Sequence, residues 1–308
     1  MKFLVTGGAG FIGSNIVERL LKMGYSVSIL DNFSTGRREN LNDFAKDIEI
    51  IEGDIRNYHL VLKSVKNIDV ILHQAALPSV QRSIIDPIKT NEVNICGTLN
   101  ILEAAKKQGV RRIVFASSSS VYGDSEELPK HEKMIPNPLS PYAISKLTCE
   151  HYLKVFNKLY GLETISLRYF NVFGPKQDPN SQYSAVIPKF IKAIKNRERP
   201  TIYGDGSQSR DFTYIENVVQ ANILASTANL KDFGISLNIA CNFNVTLNEL
   251  INYIVKYLNV DIKPIYLKSR VGDIKHSLAE IKLAKKMIKY SPNVSFEKGI
   301  KLTIDSFF

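Results

Sequence analysis

Lys2-Phe3-Leu4-Val5-Thr6-Gly7-Gly8-Ala9-Gly10-Phe11-Ile12-Gly13 is the stretch that decides the fold. A short apolar run of strand type enters a glycine-rich turn, and Ile16, Val17, Leu20 and Leu21 then repeat at helical spacing. Strand, turn and helix in that order open a dinucleotide-binding unit, whose glycines let the backbone approach a pyrophosphate at the helix N-terminus. Two registers fit, since glycines 8, 10 and 13 match GxGxxG while 7, 10 and 13 match GxxGxxG. Asp31 closes the next strand-like run, Ser26-Val27-Ser28-Ile29-Leu30. A carboxylate there accepts hydrogen bonds from a ribose diol and disfavours a 2′-phosphate, so the expected cofactor is NAD rather than NADP. Arg37 and Arg38 are the residues able to reverse that preference, and their simpler reading is solvated loop charge.

Working outward, short apolar runs at 2–6, 26–30, 48–51, 69–73, 111–117 and 163–168 alternate with helical stretches. That alternation predicts an α/β fold of Rossmann type, a doubly wound parallel sheet with crossover helices, extended by a smaller C-terminal α/β substrate lobe. Residues 1–172 plus 211–240 are read as the NAD-binding unit, and 173–210 plus 241–308 as the substrate lobe. Its entrance is the proline-punctuated loop around Gln177-Asp178-Pro179-Asn180.

Composition narrows the class. The 308 residues suffice for such a two-lobed unit, and 44% hydrophobic content without a long uninterrupted apolar run predicts a soluble chain in the cytoplasm, with no membrane partner. Gly7 follows Met1-Lys2-Phe3-Leu4-Val5 too early for a signal-peptide core. Cys96, Cys149 and Cys241 are widely separated and read as buried free thiols. The five histidines lack metal-ligand spacing, so no metal is expected. A net charge of +10 is spread among acidic residues rather than interleaved with aromatics, which argues for a small anionic substrate and against nucleic acid.

The chemistry is suggested by Tyr142-Ala143-Ile144-Ser145-Lys146. On a helix the phenol and the ammonium lie one turn apart on one face, and the cation is expected to lower the phenol's pKa towards working pH. Ser117-Ser118-Ser119-Ser120 follows a strand, at the carboxyl edge where such sheets bind ligands.

These motifs, together with Arg168-Tyr169-Phe170-Asn171-Val172-Phe173-Gly174, occur in the order found in the extended short-chain dehydrogenase/reductases. The chain resembles the UDP-hexose 4-epimerases of that group, and more closely the subgroup acting on UDP-N-acetylglucosamine. The resemblance spans nearly the whole chain and implies NAD, a UDP-sugar substrate and a homodimer. It implies Tyr142 as the base at the C4 hydroxyl, Lys146 as the group that orients the nicotinamide ribose, and Ser118 as a partner of the C4 oxygen. It places Gly7, Gly10, Phe11, Ile12, Gly13, Asp31, Asn32, Ser34, Gly36, Asp54, Ile55, Gln74, Ala75, Ala76, Asn94, Ser117 and Tyr169 around the cofactor. Ser79, Ser119, Ser120, Asn171, Ala185, Val186, Tyr203, Arg210, Arg270 and Ser277 would lie around the nucleotide sugar. Ser277 falls where the family carries a gate residue, and a small side chain there leaves room for a 2-acetamido group.

The rivals share the fold. Sugar-nucleotide dehydratases and decarboxylases of this group carry an acid in the serine motif, whereas position 120 is serine. UDP-glucuronate 4-epimerases share the four serines, and Asn171 with the loop after it favours a neutral sugar. A catalytically silent NAD-binding sensor is the remaining alternative, against which Tyr142, Lys146 and Ser118 all stand intact.

Overall fold

The computed structural model describes residues 1–178, 185–268 and 275–307. Each strand-like run of the N-terminal half forms a strand: β1 (Lys2–Thr6), β2 (Ser26–Asp31), β3 (Glu49–Glu52), β4 (Val70–His73), β5 (Arg112–Ser118) and β6 (Glu163–Tyr169). The short strands β7 (Val172–Phe173), β8 (Thr201–Tyr203), β9 (Ser209–Asp211) and β10 (Thr213–Tyr214) precede β11 (Ile235–Ile239), with β12 (Asn244–Thr246) and β13 (Ile265–Leu267) beyond it. The central sheet runs β3-β2-β1-β4-β5-β6-β11 with every pair parallel. Strand order reverses between β1 and β4, and such a reversal opens a crevice at the carboxyl ends of the strands.

The helices are α1 (Phe11–Lys22), α2 (Tyr58–Ser64), α3 (Val80–Ile85), α4 (Pro87–Asn91), α5 (Gly97–Gln108), α6 (Pro141–Tyr160), α7 (Val186–Lys195), α8 (Ile215–Thr227), α9 (Leu247–Leu258), α10 (Lys282–Ile288) and α11 (Phe296–Asp305). They cover both faces of the sheet, so its strands are apolar on both sides. Phe3 and Val5 pack with Val114, Ile165 and Leu167 on one face. Leu4 packs with Ile71, Ile113 and Phe115 on the other.

Two local departures from simple helix and strand patterns matter for the site. The helical run expected from Glu92 to Lys107 begins as a π-helical turn at Glu92–Cys96 before α5 continues it. Inside that turn Asn94 is drawn into the protein, where it accepts from the Leu77 amide at 2.8 Å and donates to Ser145 Oγ at 3.0 Å. Helix α6 starts sharply because Ser140 caps the Ala143 amide and Pro141 occupies the first turn. That start puts Tyr142 in the opening turn, facing the end of β5.

In the C-terminal part β8 pairs with β13 and β9 with β12, while β7 joins β10. Phe173, Phe212, Tyr214, Tyr253 and Phe296 form a contiguous aromatic cluster there. Among the described residues no helix is long and apolar enough to cross a membrane. Cys149 is buried and Cys241 half-buried, but Cys96, the last residue of the π turn, is exposed, contrary to expectation.

Candidate active site

A cleft of about 1240 Å³ follows the carboxyl edge of the sheet across the β1/β4 switch point. That exceeds the roughly 300–1,000 Å³ of an ordinary small-ligand site, so there is room for a dinucleotide and a second molecule. Gly7, Gly10 and Gly13 line it and Gly8 does not, which selects the GxxGxxG register. The turn is tight enough to require glycine. Gly7 has φ +68°, and a Cβ on Gly13 would lie 2.1 Å from the Gly7 carbonyl oxygen. Gly8 serves packing instead, since a Cβ there would meet Ile29 at 2.6 Å.

Asp31 stands at the far end of this turn, its Oδ2 accepting from the Ala9 amide at 2.9 Å and its Oδ1 from the Phe33 amide at 2.8 Å. Burial raises its carboxyl while those two bonds act the other way. Each oxygen can accept a further hydrogen bond, and two acceptors side by side are what a ribose diol needs. Of the two arginines able to reverse the cofactor preference, Arg38 pairs with Glu52 and lies 4.0 Å over the Phe33 ring, whereas Arg37 lines the cleft. Asp54, held near 2 chiefly by its hydrogen bond from Arg56, lines the same end and accepts from Asn32 Nδ2 at 2.9 Å. Glycine cradle, helix N-terminus and diol-accepting carboxylate together fit NAD.

Every residue expected around the cofactor lines the cleft except Asn94, which lies behind the wall and braces it through Leu77 and Ser145. Tyr169 is fixed by Asn222 Nδ2 at 2.8 Å and reaches Gln74 Oε1 at 3.3 Å. His73 is fully enclosed, with Nδ1 2.6 Å from Thr6 Oγ1 and Nε2 2.9 Å from Thr98 Oγ1. Thr98 donates to the Asn94 carbonyl, so Nε2 carries the proton and Nδ1 accepts from Thr6. Burial, with Lys146 nearby, pushes this histidine down to about 3, and it stays neutral.

The serines after β5 meet Tyr142 and Lys146. Ser117, Ser118 and Ser119 line the cleft, and Ser118 shares a hydrogen bond with Tyr142. Lys146 donates to the Ala116 carbonyl at 2.7 Å, its ammonium 4.7 Å from the Phe115 ring centre and 5.8 Å from that of Tyr142. The electrostatics differ from the sequence expectation. Burial pushes the phenol up to about 12, against the Ser118 bond, and burial also pushes Lys146 down to about 8. Desolvation is the largest cause of both shifts.

The expected sugar-nucleotide residues divide. Ser118, Ser119, Tyr142, Asn171 and Ala185 line the cleft. Ser79 is instead the cap of α3, accepting from the Arg82 amide at 3.1 Å, and the Ser120 hydroxyl is buried with no hydrogen-bond partner among the described residues. Val186, Tyr203, Arg210 and Ser277 lie beyond the wall, and Arg270 falls outside the described residues. Arg82, Ile85, Asp86 and Lys89 also line the cleft, a wall that sequence reasoning did not find. Also missed was the buried ion pair behind the serines, where Arg168 Nε and Nη2 reach the two oxygens of Glu150 at 2.9 and 2.7 Å. One signal was present: Tyr142, Lys146 and Glu150 repeat every four residues, so Glu150 continues the catalytic face of α6. Among the described residues no cluster of His, Cys, Asp or Glu is arranged to hold a metal.

The chain resembles several characterised proteins along its full length. It is 40% identical over 304 residues to a putative UDP-glucose 4-epimerase of Methanocaldococcus jannaschii, covering 98% of this chain and 97% of that one. The UDP-N-acetylglucosamine 4-epimerase of Methanobrevibacter ruminantium, solved with UDP-N-acetylmuramic acid, superposes with a TM-score of 0.95 at 44% identity, covering 99% and 97%. The UDP-glucuronic acid 4-epimerase of Bacillus cereus, solved with UDP-glucuronic acid and NAD, gives a TM-score of 0.92 at 34% identity over 99% and 98%. Residues 3–240 match the family model of the NAD dependent epimerase/dehydratase family. With a glycine cradle and Asp31 fitting NAD, and Tyr142, Lys146 and Ser118 gathered beside it, this chain is a member of that family and an NAD-using enzyme.

Proposed function

We propose that the chain interconverts the C4 epimers of a UDP-sugar, with the UDP-N-acetylglucosamine/UDP-N-acetylgalactosamine pair as its main substrates and UDP-glucose/UDP-galactose as secondary ones. The observation that carries this is the hydrogen bond between Tyr142 and Ser118 on the wall of the cleft, with Lys146 anchored one turn away on the Ala116 carbonyl. In this reading Ser118 aligns the C4 hydroxyl and Tyr142, acting as the phenolate, takes its proton and returns it when the other face has been reduced. NAD held by the glycine turn and Asp31 would supply reversible hydride acceptance at C4. Lys146 positions the ribose beside Tyr142 and contributes positive charge where the phenolate forms.

Elimination chemistry requires a further proton-handling group. Ser120, with its hydroxyl buried, offers none. Residues 173–210 and 241–308 are the proposed nucleotide-sugar lobe, with Asn171, Arg210 and Arg270 holding the UDP part so that the sugar can turn over between half-reactions. The 44% identity to the Methanobrevibacter epimerase supports the acetamido sugar. The Bacillus cereus neighbour keeps UDP-glucuronate as the alternative substrate. We also propose a homodimer through α5 and α6, because Ile144, Val155, Leu159 and Tyr160 leave an exposed apolar row on α6.

The test is incubation of the NAD-loaded protein with UDP-N-acetylglucosamine, UDP-glucose and UDP-glucuronate in turn, followed by NMR of the anomeric protons. Fastest C4 epimerisation is expected for the acetamido sugar. Fastest turnover of UDP-glucuronate would overturn the substrate choice, and no epimer from any of the three would overturn the activity.

A further inference from the structure

Asp211 has no role in the chemistry above, yet one expected sugar-nucleotide residue, Asn171, bonds to its carbonyl, a second, Arg210, precedes it in β9, and a third, Ser277, pairs with Ser209 of the same strand. Its side chain is completely buried. Oδ1 accepts from the Cys241 amide at 2.9 Å and Oδ2 from the Ala279 amide at 3.3 Å, and the amides of Asn242 and Phe243 donate to it as well. These donors are backbone groups, and burial still pushes the carboxyl up to about 6. Burying a carboxylate is costly, and here it is compensated only by amides of two separate chain segments.

What those amides hold in place is specific. The carbonyl of Asp211 accepts from Asn171 Nδ2 at 3.1 Å, and Asn171 is on the cleft wall. On one side of β9, Asp211 stands opposite Asn244 and Arg210 opposite Val245. On the other side the Ser209 amide donates to the Lys275 carbonyl and the Ser277 amide to the Ser209 carbonyl, each at 3.0 Å. The guanidinium of Arg210 lies along this seam, donating to the Ser209 carbonyl at 2.9 Å and the Lys275 carbonyl at 3.2 Å. Backbone pairing already holds β12 and residues 275–277 against β9; the Asp211 carboxylate adds a side-chain acceptor that bonds the 241–243 turn and Ala279 at once.

We infer that Asp211 is the positioning residue of the nucleotide-sugar grip, clamping β9, the 241–243 turn and the 275–279 segment into one unit that fixes Asn171, Arg210 and Ser277 relative to one another. The inference rests on the proposed reading of Arg210 as a ligand of the UDP diphosphate. Asparagine at 211 keeps the shape of aspartate but replaces one acceptor oxygen with a donor, so one set of amides loses its partner.

The experiment uses the NAD-loaded protein, UDP binding by calorimetry, and steady-state epimerisation of UDP-N-acetylglucosamine. Asp211→Asn is expected to raise KM and the Kd for UDP about 10-fold, as expected for a lost charge-assisted bond, with kcat changed less than about 3-fold and NAD content unchanged. In an Arg210→Gln background the same substitution should weaken UDP binding less than it does in the wild type, because part of its effect passes through Arg210. Wild-type KM and Kd in Asp211→Asn, with Arg210→Gln weakened, would overturn the clamp while leaving the reading of Arg210 intact. Undiminished UDP binding in Arg210→Gln would overturn that reading itself. Hydrogen exchange on the unmodified protein is independent of whether Asp211→Asn folds. UDP should slow exchange at the Cys241 and Ala279 amides, and unchanged exchange at both would sink the clamp.

Discussion

Helix α6 carries Lys146 and Glu150 one turn apart, and each serves a tyrosine–cation pair of a different kind. Towards the cleft, the Lys146 ammonium donates to the Ala116 carbonyl, has no carboxylate hydrogen-bonded to it, and is pushed by burial down to about 8. Away from the cleft, burial opposes the charge on Arg168, but Glu150 overrides it with a two-pronged pair and raises the guanidinium further. Arg168 also donates to Tyr122 at 2.9 Å, and Tyr122 passes a bond of 2.7 Å to Asn238. The hydroxyls of Ser117 and Ser236 donate to the two carboxylate oxygens of Glu150 and complete its set of donors. Both tyrosines are pushed up to about 12 by burial. The difference lies in satisfaction: around Arg168 each charge has a matched partner and no proton is free to move, whereas around Lys146 the charge is held at a cost that proton transfer can use.

The sharpest way to break this comparison is Tyr142→Phe. If the cleft-side phenol is the mobile proton, turnover should fall by about 10³- to 10⁴-fold, roughly 4–5 kcal/mol of transition-state stabilisation. NAD should remain bound and the unfolding midpoint nearly unchanged, since the phenol's partner Ser118 also accepts from the Ser120 amide. An anomeric-proton assay with more than a tenth of wild-type turnover would remove Tyr142 from the chemistry. Tyr122→Phe, by contrast, belongs to the locked pair.

Glu150→Gln tests the other side. It leaves the Arg168 guanidinium buried without a counter-charge, and breaking such a pair costs about 3 kcal/mol or more of stability. The expected result is a denaturation midpoint clearly below wild type, with kcat in the surviving folded enzyme reduced less than about 10-fold. A kcat loss comparable to that of Tyr142→Phe, with stability unchanged, would make Glu150 part of the chemistry and dissolve the contrast.

The two regions were unequally legible in the sequence. Tyr142, Lys146 and the glycine turn stand at short fixed spacings, because a helix face and a tight turn impose local periods. The strands β1 to β6 were legible for the same reason, each being an apolar run bounded by polar turns. Glu150 and Arg168 are joined by tertiary packing of α6 on β6, and nothing in the intervening chain records that the two meet. The same applies to the bond between Asp211 and the Ala279 amide. The π turn at Glu92–Cys96 was hidden because its apolar residues also suit an ordinary helix, and only the inward pull on Asn94 from Leu77 and Ser145 distinguishes them. The direction of the pKa shifts was hidden too, since spacing reports the attraction between Tyr142 and Lys146 but not their desolvation.

The smallest expected effect bears most directly on that desolvation. In the NAD-free folded chain Lys146 titrates at about 8 rather than its ordinary 10.5, a shift worth roughly 3 kcal/mol at about 1.4 kcal/mol per unit. Below pH 8 the amine is charged in both folded and unfolded chains, so the full burial cost is present. Between about 8 and 10.5 the unfolded chain binds the proton that the folded chain has released, so stability contributed at this position rises with pH. Lys146→Met removes the charge along with its bond to the Ala116 carbonyl, and these losses oppose each other, leaving a net change near pH 7 of about 1–2 kcal/mol in favour of the variant. The informative quantity is the slope. Measured by denaturant unfolding, the advantage of Lys146→Met over wild type should shrink steadily from pH 8 to pH 10, while other titrating groups cancel in the difference. A difference that stays flat across that range would mean the ammonium is as comfortable in the protein as Arg168, and the distinction between a poised pair and a locked pair would fail.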